Sequence, residues 1–574
     1  MLKKLGCKQI FAGVCLGAIA TQQPLLAQTY PESQIEATLN SPHDEISQLL
    51  PPEFPAPNPH LSSPSPPSQP PIPTPGALVP VRRIEVVGST ILSDAEIQAI
   101  AQSYEGRSVS FEELQLLADK LTQAYLDRGY LTSRAILSTQ TVTDGIVRVQ
   151  ILEGSLEDIK IEGNDRVRPE YIRSRILLGV TEPLQVDKLE DRLQLLRLDP
   201  LFKTVESSLQ PGTEEGKSIL AVRVEEASPF ILGVNFDNYS PPSIGGEEFK
   251  GLIGYRNLTG WGDEWTGSYR RSLSGGLQAF DFNFRMPLNP TNGTIQLRFA
   301  PSHSKITEDD FKALEIKANN QLYEIAYRQP LIETFDREFA LSLGFSVQNG
   351  QTFLFNNIPF GFGIGPDSEG NSRTRVLQFA QDYIKRDSSG AWALRSQFNL
   401  GLGIFDATKN ESPIPDGRFF SWLGQVQRVQ RLSPTNRLLM QAELQLTPDS
   451  LLPSQQFAIG GGQSLRGFRQ NTRSGDNGFR ISVEDRIAIF QDESGFPIFQ
   501  VAPFIDFGKV WNHSDNPNVL PRQNFLAGGG IGLIWQPFSN LLIRLDGATP
   551  LIELDDRGNN IQDKALYFNV SYQL

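Results

Sequence analysis

Residues 229–574 alternate apolar and polar side chains with a period of two, and nowhere after residue 27 do eighteen apolar residues run together. Phe280, Phe282, Phe284 and Met286 interleave with Ala279, Asp281, Asn283 and Arg285. Leu438, Met440, Ala442, Leu444 and Leu446 interleave with Leu439, Gln441, Glu443 and Gln445, and Leu566–Leu574 is apolar at every even position. A period of two sends alternate side chains to opposite faces of a strand. Without a long apolar helix, the way to cross a bilayer with every backbone group satisfied is a closed barrel. About sixteen such stretches fit the region, leaving roughly as many residues for connections as the ~9–11 that a spanning strand needs, and an even count suits a single-chain bacterial barrel. The alternative is a soluble propeller or sandwich. Outward aromatics, an export signal and an apolar terminal strand favour the membrane barrel.

The N-terminus reads as that signal. Lys3, Lys4 and Lys8 precede an apolar core from Ile10 to Ala20, and cleavage follows Ala20 or Ala27, which assigns residues 1–27 to a signal peptide. Both cysteines, Cys7 and Cys15, lie within it; Ala12-Gly13-Val14-Cys15 matches a lipoprotein site only loosely, because Val14 fits poorly. Removing residues 1–20 takes away three of the 52 basic residues and none of the 65 acidic ones, so the balance is 49 − 65 = −16. That balance excludes a basic nucleic-acid surface. His43, His60, His303 and His513 are scattered, and neither a phosphate-binding loop nor a nucleophile elbow is present. The expectation is therefore no catalytic residue, no metal, no cofactor and no nucleic-acid partner. Residues 28–80 hold fifteen of the forty prolines and read as an extended linker, with a short helix at Asp44–Leu50.

Residues 81–228 contain a repeat at an offset of 75: Ile84-Glu85-Val86-Val87-Gly88 aligns with Ile159-Lys160-Ile161-Glu162-Gly163, Ile97 with Ile172, and Leu114 with Leu189. Each copy reads strand, helix, helix, strand, strand, giving α/β domains at 81–154 and 155–228. Ser93…Glu96 and Ser110…Glu113 are spaced as capping boxes, and Asp187…Glu190 has the spacing of a third cap. Phe111, Leu114, Ala118, Leu121 and Tyr125 fall on one helical face.

Counting strands makes Asn436–Pro448 the eleventh and Gly478–Phe490 the twelfth, so Gly460-Gly461-Gly462-Gln463-Ser464-Leu465-Arg466-Gly467-Phe468 lies in an outer connection. That connection is long enough to fold back into the lumen, and its glycines allow tight turns and close approach to the wall. On the next strand, Phe504-Ile505-Asp506-Phe507-Gly508 places Ile505 and Phe507 on one face and Phe504, Asp506 and Gly508 on the other. The apolar pair should meet lipid and Asp506 the interior, where Arg466 could form an ion pair with it. A surface Arg and an unrelated lumenal Asp fit the spacing equally. For a true ion pair, exchanging the two as Arg466→Asp with Asp506→Arg should recover some function.

These features together resemble the two-partner secretion translocators (TpsB; ShlB/FhaC/HecB-type haemolysin secretion/activation proteins), over about residues 81–574. The resemblance implies two periplasmic POTRA domains before the barrel, in an outer-membrane monomer with its lipid. It implies Gly462, Leu465, Arg466, Gly467 and Phe468 as a lumenal loop motif, with Asp506 as the wall partner flanked by Phe504 and Gly508. The implied function is export of a large unfolded β-helical exoprotein (TpsA-like) through the barrel. Alternatives are an outer-membrane assembly insertase or a porin-like channel. Family members also carry an N-terminal helix that can plug the pore; here the matching residues 31–50 are weakly helical and proline-rich, a departure from that pattern.

Overall fold

The computed structural model describes residues 78–574 apart from 139–141 and 143. The signal segment, most of the proline-rich linker and the expected helix at Asp44–Leu50 lie outside the described residues. One compact unit ends at Ala227 and a second runs from Ser228 to Leu574.

The smaller unit carries the repeat in its hydrogen bonding. Strand Arg83–Val87 pairs in parallel with Ile146–Leu152, which also pairs antiparallel with Arg134–Ile136. In the second copy, Ser155–Glu162 pairs in parallel with Lys217–Glu226, which pairs antiparallel with Phe202–Pro211. A parallel pair needs a crossover, and helices Asp94–Ala101 and Phe111–Leu126 supply the first, Pro169–Leu177 and Val186–Arg197 the second. Ser93 and Ser110 each accept the N3 amide while Glu96 and Glu113 reach back, two complete capping boxes. Val147, Val149 and Ile151 bury against Leu117, Leu121 and Tyr125 in the first core. The Tyr125 hydroxyl donates to Glu153 at 2.6 Å, and burial together with that carboxylate pushes its pKa up to about 12.

Three local expectations are corrected. Helix Val186–Arg197 has Gln185, not Asp187, at its N-cap, with no side-chain cap. The amide of Val186 instead donates to the Gly129 carbonyl of the preceding repeat, 3.1 Å away, so a tertiary contact does what the local box was expected to do. Phe111 is 49 % exposed, because at the first helical position it points away from the face that Leu114, Ala118, Leu121 and Tyr125 bury. The linker ends earlier than residue 80, since Val79–Val81 already forms a ladder with Arg107–Val109.

The larger unit is a closed barrel of sixteen antiparallel strands. The first strand, Phe230–Asp237, pairs with both the second, Glu248–Arg256, and the sixteenth, Leu566–Gln573, which closes the ring. Alternation is clearest in the sixth strand, Lys317–Glu333: Ala318, Asn320, Leu322, Glu324 and Ala326 are buried while Tyr323, Ile325 and Tyr327 are exposed. Phe280, Phe282, Phe299 and Tyr323 stack in sequence across the exposed outer face. So large an apolar exterior is stable only against hydrocarbon. Connections differ sharply between the two ends. At the end where the chain enters they are as short as Ser388-Ser389, Pro434-Thr435 and Ser539-Asn540; at the other they include residues 355–370, 402–419, 447–476 and 551–565.

Candidate functional site

The connection 447–476 joins the eleventh strand, Asn436–Leu446, to the twelfth, Asn477–Gln491. Its two arms, Phe457–Ile459 and Arg473–Gly475, pair as a small hairpin that directs the tip inward. Gly461 has φ +104° and its amide donates to the Leu465 carbonyl at 3.0 Å; Gly467 has φ +106°. Both values lie in the region that side chains disfavour. Leu465 and Phe468 are buried in one cluster with Leu423, Phe457, Ile459, Val510 and Leu526, so apolar contact holds the tip against the wall. Gly462 lies where any side chain would strike the ring of Tyr239.

Arg466 is 5 % exposed and Asp506, on the thirteenth strand, Pro497–Trp511, is 1 % exposed. The guanidinium grips the carboxylate with both arms: Nε donates to Oδ2 at 2.7 Å and Nη2 to Oδ1 at 2.8 Å. The Arg466 backbone amide donates to the same Oδ2 at 3.0 Å. Three donors to one carboxylate fix both the side chain and the main chain of the loop. Phe504, also inward, lies with its ring 3.3 Å beneath the Arg466 guanidinium carbon, a close cation–π contact. Gly508 brings the strand close enough that a Cβ there would stand 3.3 Å from Leu465 Cδ1. Ile505 is 46 % exposed on the opposite face. The structure thus brings all eight sequence-selected residues to one place.

The ion pair suggested by the spacing of Arg466 and Asp506 forms, but it is not isolated. Arg466 Nη1 also donates to Glu484 on the twelfth strand and lies 3.8 Å from Asp546 on the fifteenth, Leu541–Pro550. Arg544 bridges those two, donating to Glu484 at 2.6 Å and to Asp546 at 2.8 Å, and Arg486 donates to Glu484 at 2.8 Å. Ser482 donates to Asp506 Oδ1 at 2.7 Å. Arg466, Arg486 and Arg544 face Glu484, Asp506 and Asp546, so formal charge cancels within the cluster. Withdrawing charges from water is tolerable only when each is compensated. The loop contributes one of the three cations, and its departure leaves the wall one charge negative.

Main-chain contacts add a second hold. The Tyr567 hydroxyl, on the sixteenth strand, accepts from the Gly467 amide at 2.9 Å and donates to the Phe468 carbonyl at 2.6 Å. Nearer the rim, Arg469 grips Asp563 with two hydrogen bonds of 2.6 and 2.9 Å, and Arg473 grips Asp556 with two of 2.8 and 3.0 Å. Both carboxylates belong to the connection 551–565. Sequence reasoning missed Glu484, Arg544, Asp546 and Tyr567. Their signal was available, because each follows the inward parity of its own strand.

A family model described as haemolysin secretion/activation protein ShlB/FhaC/HecB matches residues 216–534, more than half of the chain. The chain belongs to that family. A model of the ShlB-type POTRA domain matches residues 79–154. Among curated relatives, the outer membrane transporter CdiB of Escherichia coli is 24 % identical over 472 residues, covering 80 % of this chain and 77 % of its own. The solved structure of CdiB from Escherichia coli superposes with a TM-score of 0.67 at 22 % identity, covering 88 % of this chain and 92 % of that one. BamA from Haemophilus ducreyi lacking POTRA domains 1–3 gives a TM-score of 0.52 at 16 % identity, covering 86 % and 100 %. This family member is an outer-membrane transporter whose POTRA-type domains are periplasmic, so the long connections, 447–476 among them, open on the outer surface.

Proposed function

We propose that this chain exports a large, unfolded β-helical partner protein (a TpsA-like exoprotein) through its barrel. The division of labour is residues 79–154 and 155–228 as two POTRA domains that receive the substrate, and residues 229–574 as the pore. The sheet edges Phe202–Pro211 and Arg134–Ile136, each paired on one side only among the described residues, suit capture of an extended backbone by strand addition. In this reading Gly462, Leu465, Arg466, Gly467 and Phe468 form a lumenal positioning loop, and Asp506, with Phe504 and Gly508, is its seat on the wall. The observation that carries it is the neutral cluster that holds Arg466 inside the barrel, because a loop anchored there occupies the path that a polypeptide would take. Folding of the partner outside supplies the direction.

The test expresses the chain with a large secreted β-helical protein encoded beside it. The partner is expected in the medium only when the chain is present, while other outer-membrane barrels assemble normally without it. Export that persists in its absence defeats the reading. General loss of outer-membrane barrels on depletion would favour the insertase, the second reading that the likeness to BamA supports.

A further inference from the structure

The fourteenth strand, Phe525–Phe538, has glycine at three successive inward positions, Gly528, Gly530 and Gly532, while Ile531 and Leu533 face outward and are exposed. Gly528 pairs directly with Asp506 in the ladder. Three side-chain-free positions in a row are unfavourable in a strand unless something needs the space. At Gly530 a Cβ would stand 2.8 Å from Cζ of Phe504, the ring beneath Arg466, but it would also strike the wall's own Gly547 carbonyl. At Gly528 the collision is with the loop alone. A Cβ there would strike the Arg466 carbonyl oxygen and stand 3.1 Å from its carbon, whereas the nearest wall atom, the Thr549 carbonyl oxygen, is an ordinary 3.6 Å away.

We infer that Gly528 is a positioning residue for export: its bare Cα is the seat on which the Arg466 peptide rests. The charge cluster then sets how strongly the loop is held, and Gly528 sets whether the loop can come close enough for Arg466 to reach Asp506. An added methyl at this position keeps every charge and every wall contact but lifts the loop backbone. This inference rests on the proposed role of the loop inside the lumen. Gly529 provides the matched control, because it faces outward and a Cβ there would stand 3.5 Å from its nearest neighbour, the Phe504 carbonyl oxygen.

The test follows hydrogen exchange of the Arg466 and Gly467 amides in the full-length protein, with conductance of the same preparations in planar bilayers. Gly528→Ala is expected to speed exchange of both amides about tenfold, the shift that a single overpacked methyl group produces, and to raise conductance with the folded barrel's heat-modifiable migration kept. Gly529→Ala is expected to match wild type in both. Exchange in Gly528→Ala no faster than in Gly529→Ala overturns the inference. Should Gly528→Ala lower the yield of folded barrel, the same substitution is made in a chain whose residues 463–470 are replaced by Gly and Ser. Recovered folding there supports the seat, and continued loss overturns it. Faster exchange with unchanged conductance keeps the seat and counts instead against the loop's role in occupying the pore.

Discussion

Arg466→Ala is expected to cut the partner secreted per folded barrel by at least about tenfold while the barrel still inserts and keeps its heat-modifiable migration. Removing one member of a buried charge cluster costs ~3–5 kcal/mol, because the charges left behind are uncompensated. Here Asp506 loses both guanidinium bonds and Glu484 loses one of its three cationic partners. Water entering a vacated lumen hydrates them and brings the effect to the lower end, about 3 kcal/mol, still roughly a hundredfold shift toward the undocked loop. The wall does not depend on the loop, since the strands that carry Glu484, Asp506 and Asp546 are held by their own ladders. The expected signature is therefore export lost, conductance raised and insertion unchanged. Unchanged export would remove the loop from the mechanism.

The second large effect is a failure to rescue. Arg466→Asp combined with Asp506→Arg is expected to export no better than Arg466→Ala, the reverse of what an isolated ion pair would give. A carboxylate at 466 would face Glu484 and Asp546, and like charges ~4 Å apart repel by about 4 kcal/mol at an effective dielectric of 20. An arginine at 506 could not accept the Arg466-position amide or the Ser482 hydroxyl, both of which now donate to Asp506. Of the four hydrogen bonds that now converge on that carboxylate, these two would lose their acceptor, because a guanidinium has none to offer. Secretion assays on the double and single variants decide the matter: recovery above the single variant would mean that Glu484 and Asp546 do not act on residue 466.

The contrast shows what a sequence can and cannot reveal about such a site. Strand number and the facing of Asp506 were legible because a period of two and the cost of a charge in lipid fix them locally. The capping boxes at Ser93 and Ser110 were legible for the same reason, since donor and acceptor lie three residues apart. The amide of Val186 was not, because its acceptor, the Gly129 carbonyl, comes from another repeat. Parity would have turned Glu484, Arg544 and Asp546 inward, but it turns Arg298 and Glu324 inward as well, and those two pair with each other, far along the chain from the loop. Selecting the partners of Arg466 needs the closure of the ring, which brings the fifteenth strand to the loop's tip. The collision at Gly528 is a still longer-range property: nothing in Ala527-Gly528-Gly529-Gly530 distinguishes a seat from a flexible strand until the Arg466 carbonyl is in place.

Arg466→Lys separates the forked geometry of the cation that locks the loop into the lumen from its charge, which removal of the side chain does not. Lysine keeps the positive charge and most of the length but presents a single point of donation in place of a planar fork. It cannot hold both Asp506 oxygens and Glu484 together as Arg466 does. Secreted partner per folded barrel is the quantity to measure. A fall close to that of Arg466→Ala is the expected result, and secretion at the wild-type level would contradict it.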